Sequence, residues 1–127
     1  AQALDLEPAS FDAAICRAGL MLMSDPVATL VGVRQALKRG GKFAALVFGR
    51  IYDDKDAQEM RIRRSELDWT LIRPGVLTSG AKTGRYRVLD EPSSWRGGLI
   101  SRADVADFIV GHLEDAAYLR KAVVLVA

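Results

Sequence analysis

The stretch ASFDAAICRAGLMLMSDPVATLVGVRQALKRGGKFAALVFG, residues 9–49, decides the fold because it contains a strand, helix and strand pattern. Its first apolar run, Phe11–Arg17, is typical of a strand that is buried on both faces. Asp25 and Pro26 predict the N-cap and the first residue of a helix. A second apolar run predicts another buried strand over 42–49. This βαβ unit is the clearest local pattern in the chain.

The same alternation continues to the end of the chain. We expect a helix over 53–66, a strand over 69–73, a helix that begins at Ser101 and a last strand over 121–127. Strands without polar alternation, separated by helices, indicate a parallel sheet that is covered on both faces. The prediction is a single α/β domain over 1–127. Its architecture is a Rossmann-like three-layer sandwich, with a mainly parallel sheet of four to five strands and crossover helices, which is part of a doubly wound fold.

Composition excludes several classes of function. Eighteen basic and sixteen acidic residues give a net charge of +2, which is too small to indicate a nucleic-acid partner. No apolar run is long enough for a membrane span, so we expect no membrane partner. One histidine and one cysteine make a transition-metal site improbable, and we predict none. The single cysteine, Cys16, excludes an intramolecular disulfide framework and favours a reducing, cytoplasmic location.

Residues 4–49 present three features in a fixed order: the run ASFDAAICRAGL, the helix start MSDP and the segment LKRGGKFAALVFG. Order and spacing resemble the middle of a class I, UbiE-like S-adenosylmethionine-dependent methyltransferase. The resemblance implies that these segments are the fourth strand, its following helix and the fifth strand of that fold. It also implies that the end of the first run borders cofactor and substrate, at Arg17, Ala18, Gly19 and Leu20.

Residues 53–127 present another set of features, DDKDAQEMRIRRSELDWTLIRPGVLTSG, ISRADVADFIVGHLED and KAVVLVA. These segments resemble the C-terminal half of an atypical short-chain dehydrogenase, an NmrA-like NAD(P)-binding protein. The resemblance implies a helix and strand, a late helix and a final strand. It also implies that the turn at Arg73, Pro74 and Gly75 borders the nicotinamide end of the cofactor.

The two resemblances meet at a seam near residues 50–54. Neither part contains the glycine-rich turn that holds the cofactor in its family, because those turns precede Ala1 in such proteins. The leading interpretation is therefore an artificially recombined domain, a chimera without native catalysis, for which no cofactor is expected. Residual binding of NAD(P) or S-adenosylmethionine remains open. The alternatives are a weak cofactor-binding module and an enzyme fragment that needs a partner for the missing half.

We predict no catalytic residue. Tyr52 and Lys55 are too close for the Tyr-x-x-x-Lys pair of short-chain dehydrogenases. Gly40-Gly41 follows a helix, so it is interpreted as a helix C-cap and not as a phosphate loop. His112 is interpreted as a structural residue on a late helix. The polar segment 78–85 is interpreted as a solvated loop.

The Phe11–Arg17 strand also carries the prediction about assembly. In the first family, three more strands would flank it, and in this chain they are missing. An apolar strand at a sheet edge exposes unpaired backbone groups that pair readily with another strand. We therefore expect a homodimer or a higher homo-oligomer, joined through this edge or by swapped elements.

Overall fold

The computed structural model describes residues 6–17, 25–47, 53–113 and 115–127, and for residues 53–58 it describes the backbone only. In these ranges the chain alternates strands and helices along its length. The elements are β1 (Phe11–Arg17), α1 (Pro26–Ala36), β2 (Leu37–Leu46), α2 (Asp53–Arg64), β3 (Asp68–Pro74), β4 (Val76–Thr78), β5 (Arg87–Leu89), β6 (Leu99–Ser101), α3 (Arg102–Gly111) and β7 (Lys121–Val126).

The strands form a five-stranded sheet in the order β1-β2-β3-β7-β5, and β4 and β6 form a small parallel sheet of their own. Strands β1, β2, β3 and β7 are parallel, and only the short edge strand β5 runs antiparallel, against β7. Helical crossovers connect the parallel strands, as parallel pairing requires. The predicted α/β, Rossmann-like fold is confirmed.

Side chains alternate between two cores, one on each face of the sheet. On one face, Phe43, Trp69 and Leu71 pack with Leu30 of α1 and Ile62 of α2. On the other face, the core contains strand residues from β2, β3 and β7 and the apolar side of α3: Ala44, Ile72, Val123, Leu125, Val105, Phe108 and Ile109. The helices therefore lie on both faces, as in a three-layer sandwich.

The end of α1 differs from the prediction. The helix ends at Ala36, and Leu37 is already extended, with its N–H donated to the carbonyl oxygen of Val33. Leu37 enters the core at 7% exposure. The interpretation of Gly40-Gly41 as a helix C-cap was therefore wrong. Residues 38–41 instead form an irregular start of β2, where the register against β1 shifts and Gly40 takes a φ of 80°.

Both predicted helix starts are confirmed. The carboxylate of Asp25 accepts the N–H of Ala28 at 3.0 Å, and the hydroxyl of Ser101 accepts the N–H of Asp104 at 3.0 Å. Each cap satisfies a backbone donor that the first turn of a helix leaves free. Among the described residues, no helix is long and apolar enough to cross a membrane.

Candidate functional site

A cleft of about 300 Å³ opens where β2 and β3 end. In parallel α/β sheets, ligands bind at the carboxyl ends of the strands, so its place in the fold makes this cleft the first candidate for a binding site. The lining residues come from the ends of β2, β3 and β7 and from the segment before β6: Val47, Arg73, Pro74, Gly75, Val124, Trp95, Arg96 and Gly97.

Gly75 fixes the floor of this cleft. Its N–H donates to the carbonyl oxygen of Leu125 at 2.9 Å, and the N–H of Val76 donates to that of Gly98 at 2.8 Å. A Cβ atom at Gly75 would lie 2.3 Å from the oxygen of Gly98, which is far inside contact distance. Only glycine fits this close backbone approach. The predicted turn at Pro74-Gly75 is thus a break between β3 and β4, which holds the 95–98 segment against the strand ends.

Three side chains from distant parts of the chain form one wall, the Arg73 cluster of Glu59, Arg73 and Trp95. The Nη2 atom of Arg73 lies 2.5 Å from the Oε2 atom of Glu59. The guanidinium carbon of Arg73 lies 5.0 Å from the ring centroid of Trp95, a cation–π contact. The side chains of Arg73 and Glu59 are 21% and 9% exposed. The ion pair is therefore shielded from water far more than a surface pair.

The Arg73 cluster is incompletely hydrogen bonded. Three of its buried polar atoms have no partner among the described residues: Oε1 of Glu59, Nε of Arg73 and Nε1 of Trp95. A buried donor or acceptor without a partner costs about 1–3 kcal/mol. Arg96 lines the same cleft, is exposed and forms no ion pair with any residue that the structure describes. Unpaired buried polar atoms beside a cleft favour a ligand as the missing partner.

A second polar group, the Asp104 cluster, joins the buried Ser101 and Asp104 to the exposed Thr83 and Gly84. Asp104 is 1% exposed, and its carboxylate accepts the N–H and hydroxyl of Thr83 and the N–H of Gly84 at 2.8–2.9 Å. Burial raises the pKa of Asp104, but the bonds from Gly84, Thr83 and Ser101 outweigh it and leave the pKa below its usual value. The 78–85 segment is thus tied to α3 through Thr83 and Gly84, while residues 79–85 stay exposed, as expected for a solvated loop.

Next to this cluster, Asp107 joins two more residues of the same connection to α3. Its carboxylate lies 2.9 Å from Nζ of Lys82 and accepts the hydroxyl of Tyr86 at 3.0 Å. Burial, followed by the bond to Asp107, raises the pKa of Tyr86 to about 12. The bonds from Lys82 and Tyr86 lower the pKa of Asp107. These contacts hold the segment 82–86 against α3.

The sheet brings two of the predicted cofactor contacts to the same edge. Arg17 ends β1 and is paired in register with Leu46 of β2, while Arg73 lies at the end of the next strand, β3. Gly19 and Tyr52 lie outside the described residues. Lys55 is on α2, and its side chain is likewise outside the description. Sequence reasoning missed Glu59, Trp95 and Arg96, because nothing local connects them.

The remaining candidates are structural in their contacts. His112 lies 2.9 Å from the carboxylate of Asp115 and packs against Phe108 and Tyr118, with ring centroids 4.6 and 4.9 Å away. Cys16 packs partly buried against the core on the α1 and α2 face. No group of three or more potential metal ligands occurs in the part of the chain that the structure describes.

A mainly parallel sheet with a cleft at its strand ends defines the class of Rossmann-like nucleotide-binding domains. The chain belongs to the NAD(P)H-binding family, whose model matches residues 27–116. A methyltransferase-domain model matches residues 1–45. The double resemblance predicted from sequence is confirmed. The two matches overlap over 27–45, a helix and strand of the kind that both doubly wound folds share.

Solved structures support the same fold. A short-chain dehydrogenase/reductase from Veillonella parvula, in complex with NADP, is 15% identical with a TM-score of 0.67, and 91% of this chain covers 63% of that one. An anaerobillin reductase from Escherichia coli is 20% identical with a TM-score of 0.64, at coverages of 79% and 55%. A Rossmann-fold NAD(P)-binding protein from Shigella flexneri is 17% identical with a TM-score of 0.64, at 84% and 53%.

The chain spans between about half and two thirds of the length of these structures. No curated protein matches it. At identities this low, the similarity establishes the fold but does not assign the relatives' activities to this chain.

The described residues fit one end of NAD(P). The unpaired acceptor Oε1 of Glu59, beside the β3 end, complements an N–H of the nicotinamide carboxamide. The pyrophosphate is normally held by a G-x-x-G-x-x-G turn at a helix N-terminus, and no such spacing occurs among the eleven glycines of the sequence. The residues present therefore fit the nicotinamide end and do not fit the pyrophosphate.

Proposed function

We propose that this chain forms the nicotinamide-binding side of an NAD(P)H-dependent reductase fold. The observation that supports this most strongly is the group of unpaired polar atoms of the Arg73 cluster, beside a cleft at the carboxyl ends of the strands. Family membership and the fold of the solved reductases support the same assignment. The alternative cofactor, S-adenosylmethionine, would meet the sheet at the end of β1, near Arg17.

The roles of the residues follow from their places. When bound, NAD(P)H would supply a hydride to an acceptor. Gly75 and Pro74 would let the cofactor approach the backbone closely, while Glu59 would accept an N–H of the carboxamide and orient it. The apolar side chains of Val47 and Val124 would exclude water from the reacting face.

Calorimetric titration of the 127-residue chain with NADPH and with S-adenosylmethionine tests the proposal. We expect weak, saturable binding of NADPH, since the nicotinamide side alone supplies only part of the contacts. Gly97→Leu should abolish this binding, because a Cβ at Gly97 meets nothing within 4 Å and the longer side chain would fill the cleft. The matched control is Gly80→Leu, at an exposed glycine outside the cleft whose Cβ would only touch Thr78.

A second candidate is an artificially recombined domain that retains the fold without catalysis. The observation that favours it is the methyltransferase match at residues 1–45 beside the NAD(P)H-binding match at residues 27–116. Absence of heat with both cofactors would favour this candidate. Binding that appears only after a glycine-rich half is added would instead favour a fragment that needs a partner.

We also propose self-association through β1. Among the described strands, β1 pairs only with β2, and its Phe11 and Ile15 are 44% and 57% exposed. An apolar edge strand of this kind favours pairing with another copy. Sedimentation at micromolar concentration should show a dimer or larger species, and a monomer throughout would contradict the proposal. The single thiol of Cys16 is compatible with a cytoplasmic setting, which we propose on that basis.

A further inference from the structure

We infer that the cleft at the Arg73 cluster binds a small organic carboxylate. The inference deepens the proposed function and rests on it, because it gives the chemical class of the molecule that would lie beside the nicotinamide. It is carried by two observations: the unpaired N–H groups in the wall, and the second arginine on the rim.

The unpaired atoms of the wall are mostly donors. Nε of Arg73 and Nε1 of Trp95 can only donate, whereas Oε1 of Glu59 accepts. A ligand that satisfies both donors must present acceptor oxygens. Because the two N–H groups are buried, a ligand reaches them only when the side chain of Trp95 moves. Binding is then favoured because it removes the cost of leaving two donors unpaired.

The charge of the cleft lining favours a ligand with a single negative charge. Glu59 neutralises Arg73 within the wall, which leaves Arg96 as the uncompensated cation of the lining. One free guanidinium matches one carboxylate, and the planar fork of arginine suits the two carboxylate oxygens. A phosphate dianion would find only half of the charge that it needs. We therefore expect a preference for a carboxylate over phosphate.

The rest of the lining suggests a small organic group. Val47, Pro74 and Val124 are apolar and lie on the same cleft as Arg96. A volume of about 300 Å³ is at the lower end of the range for small-molecule sites. An aromatic or branched aliphatic acid fits this combination of an apolar wall and one cation.

The indole N–H signal of Trp95 in nitrogen-15 NMR spectra is the most direct readout. The chain has two tryptophans, so the signal that Trp95→Phe removes is assigned at once. Sodium benzoate is the probe, benzyl alcohol its neutral counterpart and inorganic phosphate the competing anion. We expect benzoate to shift the Trp95 signal saturably, benzyl alcohol to leave it in place and phosphate to bind more weakly. Arg96→Gln should weaken benzoate binding by roughly tenfold, and Arg61→Gln, on the exposed side of α2, should not change it.

Three outcomes would overturn the inference: equal shifts with benzyl alcohol and benzoate, wild-type affinity in Arg96→Gln, or tighter binding of phosphate. The last would assign the cation to a phosphate of the cofactor. NADPH binding in the calorimeter without benzoate binding would overturn this inference alone. Benzoate binding without NADPH binding would support the carboxylate site and overturn the proposed function.

Discussion

Two polar clusters of this protein differ in how completely their hydrogen bonds are satisfied. In the Asp104 cluster, one buried carboxylate from α3 meets three donors from the 83–84 segment. In the Arg73 cluster, an arginine, a glutamate and a tryptophan meet, and each keeps one buried polar atom without a partner in the described part of the chain. The first cluster is complete within the chain. The second is complete only with something added, which is why we interpret the first as structural and the second as functional.

The two clusters differ in hydrogen bonding because their members come from different parts of the chain. Thr83 and Gly84 offer adjacent backbone donors on one loop, and Asp104 is already fixed by the first turn of its helix. The Arg73 cluster assembles side chains from α2, β3 and the 95–98 segment. Such an assembly places polar groups at the carboxyl ends of the strands, where parallel sheets bind their ligands.

The largest effect is expected from Asp104→Ala. The change removes the acceptor of three hydrogen bonds from Thr83 and Gly84 and releases the loop from α3, so Tm should fall by roughly 10 °C. Because the pKa of Asp104 lies below 3.8, its contribution is present above that pH and is lost as the pH falls through the native pKa. Thermal unfolding monitored by circular dichroism measures the loss. Asp12→Ala, which removes an exposed carboxylate paired with Lys38, is the control and should change little.

Gly75→Ala should come next, at about 1–3 kcal/mol of unfolding free energy. The added Cβ meets the backbone oxygen of Gly98 and must push the 95–98 segment away from the strand end. Denaturant unfolding gives the cost, and a shift in tryptophan fluorescence reports the displaced wall. Gly97→Ala adds the same methyl group where nothing lies within 4 Å. A similar cost in both variants would show that the close approach has been misjudged.

Titration of the tyrosines gives a smaller effect. Burial and the bond to Asp107 raise the pKa of Tyr86 from 10.0 to about 12, so its neutral form is favoured in the folded state. Its contribution to stability is therefore full below pH 10 and is lost as the pH rises from there towards 12. Tyrosinate absorbance should show one late-titrating group that Tyr86→Phe removes. Titration of all three tyrosines near the ordinary pKa would contradict this contact.

Trp95→Phe should have the smallest effect on stability. It removes an N–H that has no partner and retains an aromatic ring beside Arg73, so Tm should stay within about 2 °C of the wild type. The same change should weaken carboxylate binding in the cleft. A large fall in Tm would mean that the indole N–H is bonded within the chain, and the contrast between the clusters would then fail.

Local patterns were sufficient for most of the fold. The apolar run at Phe11–Arg17 predicted β1 with its observed bounds, and Ser101 predicted the start of α3. The end of α1 was predicted wrongly because the two glycines resembled a cap. Leu37 is instead buried in the core, and the chain is already extended there, three residues before Gly40.

The site was only half predictable. Arg73, Pro74 and Gly75 were found through a resemblance, and their strand-end position agrees with it. Glu59 lies 14 residues before Arg73, and its contact with that arginine depends on how α2 packs against β3. Trp95 and Arg96 reach the cleft because Gly75 and Gly98 allow two backbones to touch. Such contacts are tertiary, so no periodicity or spacing in the sequence indicates them.

Backbone amide shifts on addition of NADPH test the central claim most directly. The account predicts saturable shifts of the amides of Gly75 and Gly97, which line the cleft beside the Arg73 cluster. The amides of Thr83 and Gly84 should not shift. Shifts centred on Thr83 and Gly84, or no shift at saturating NADPH, would contradict it.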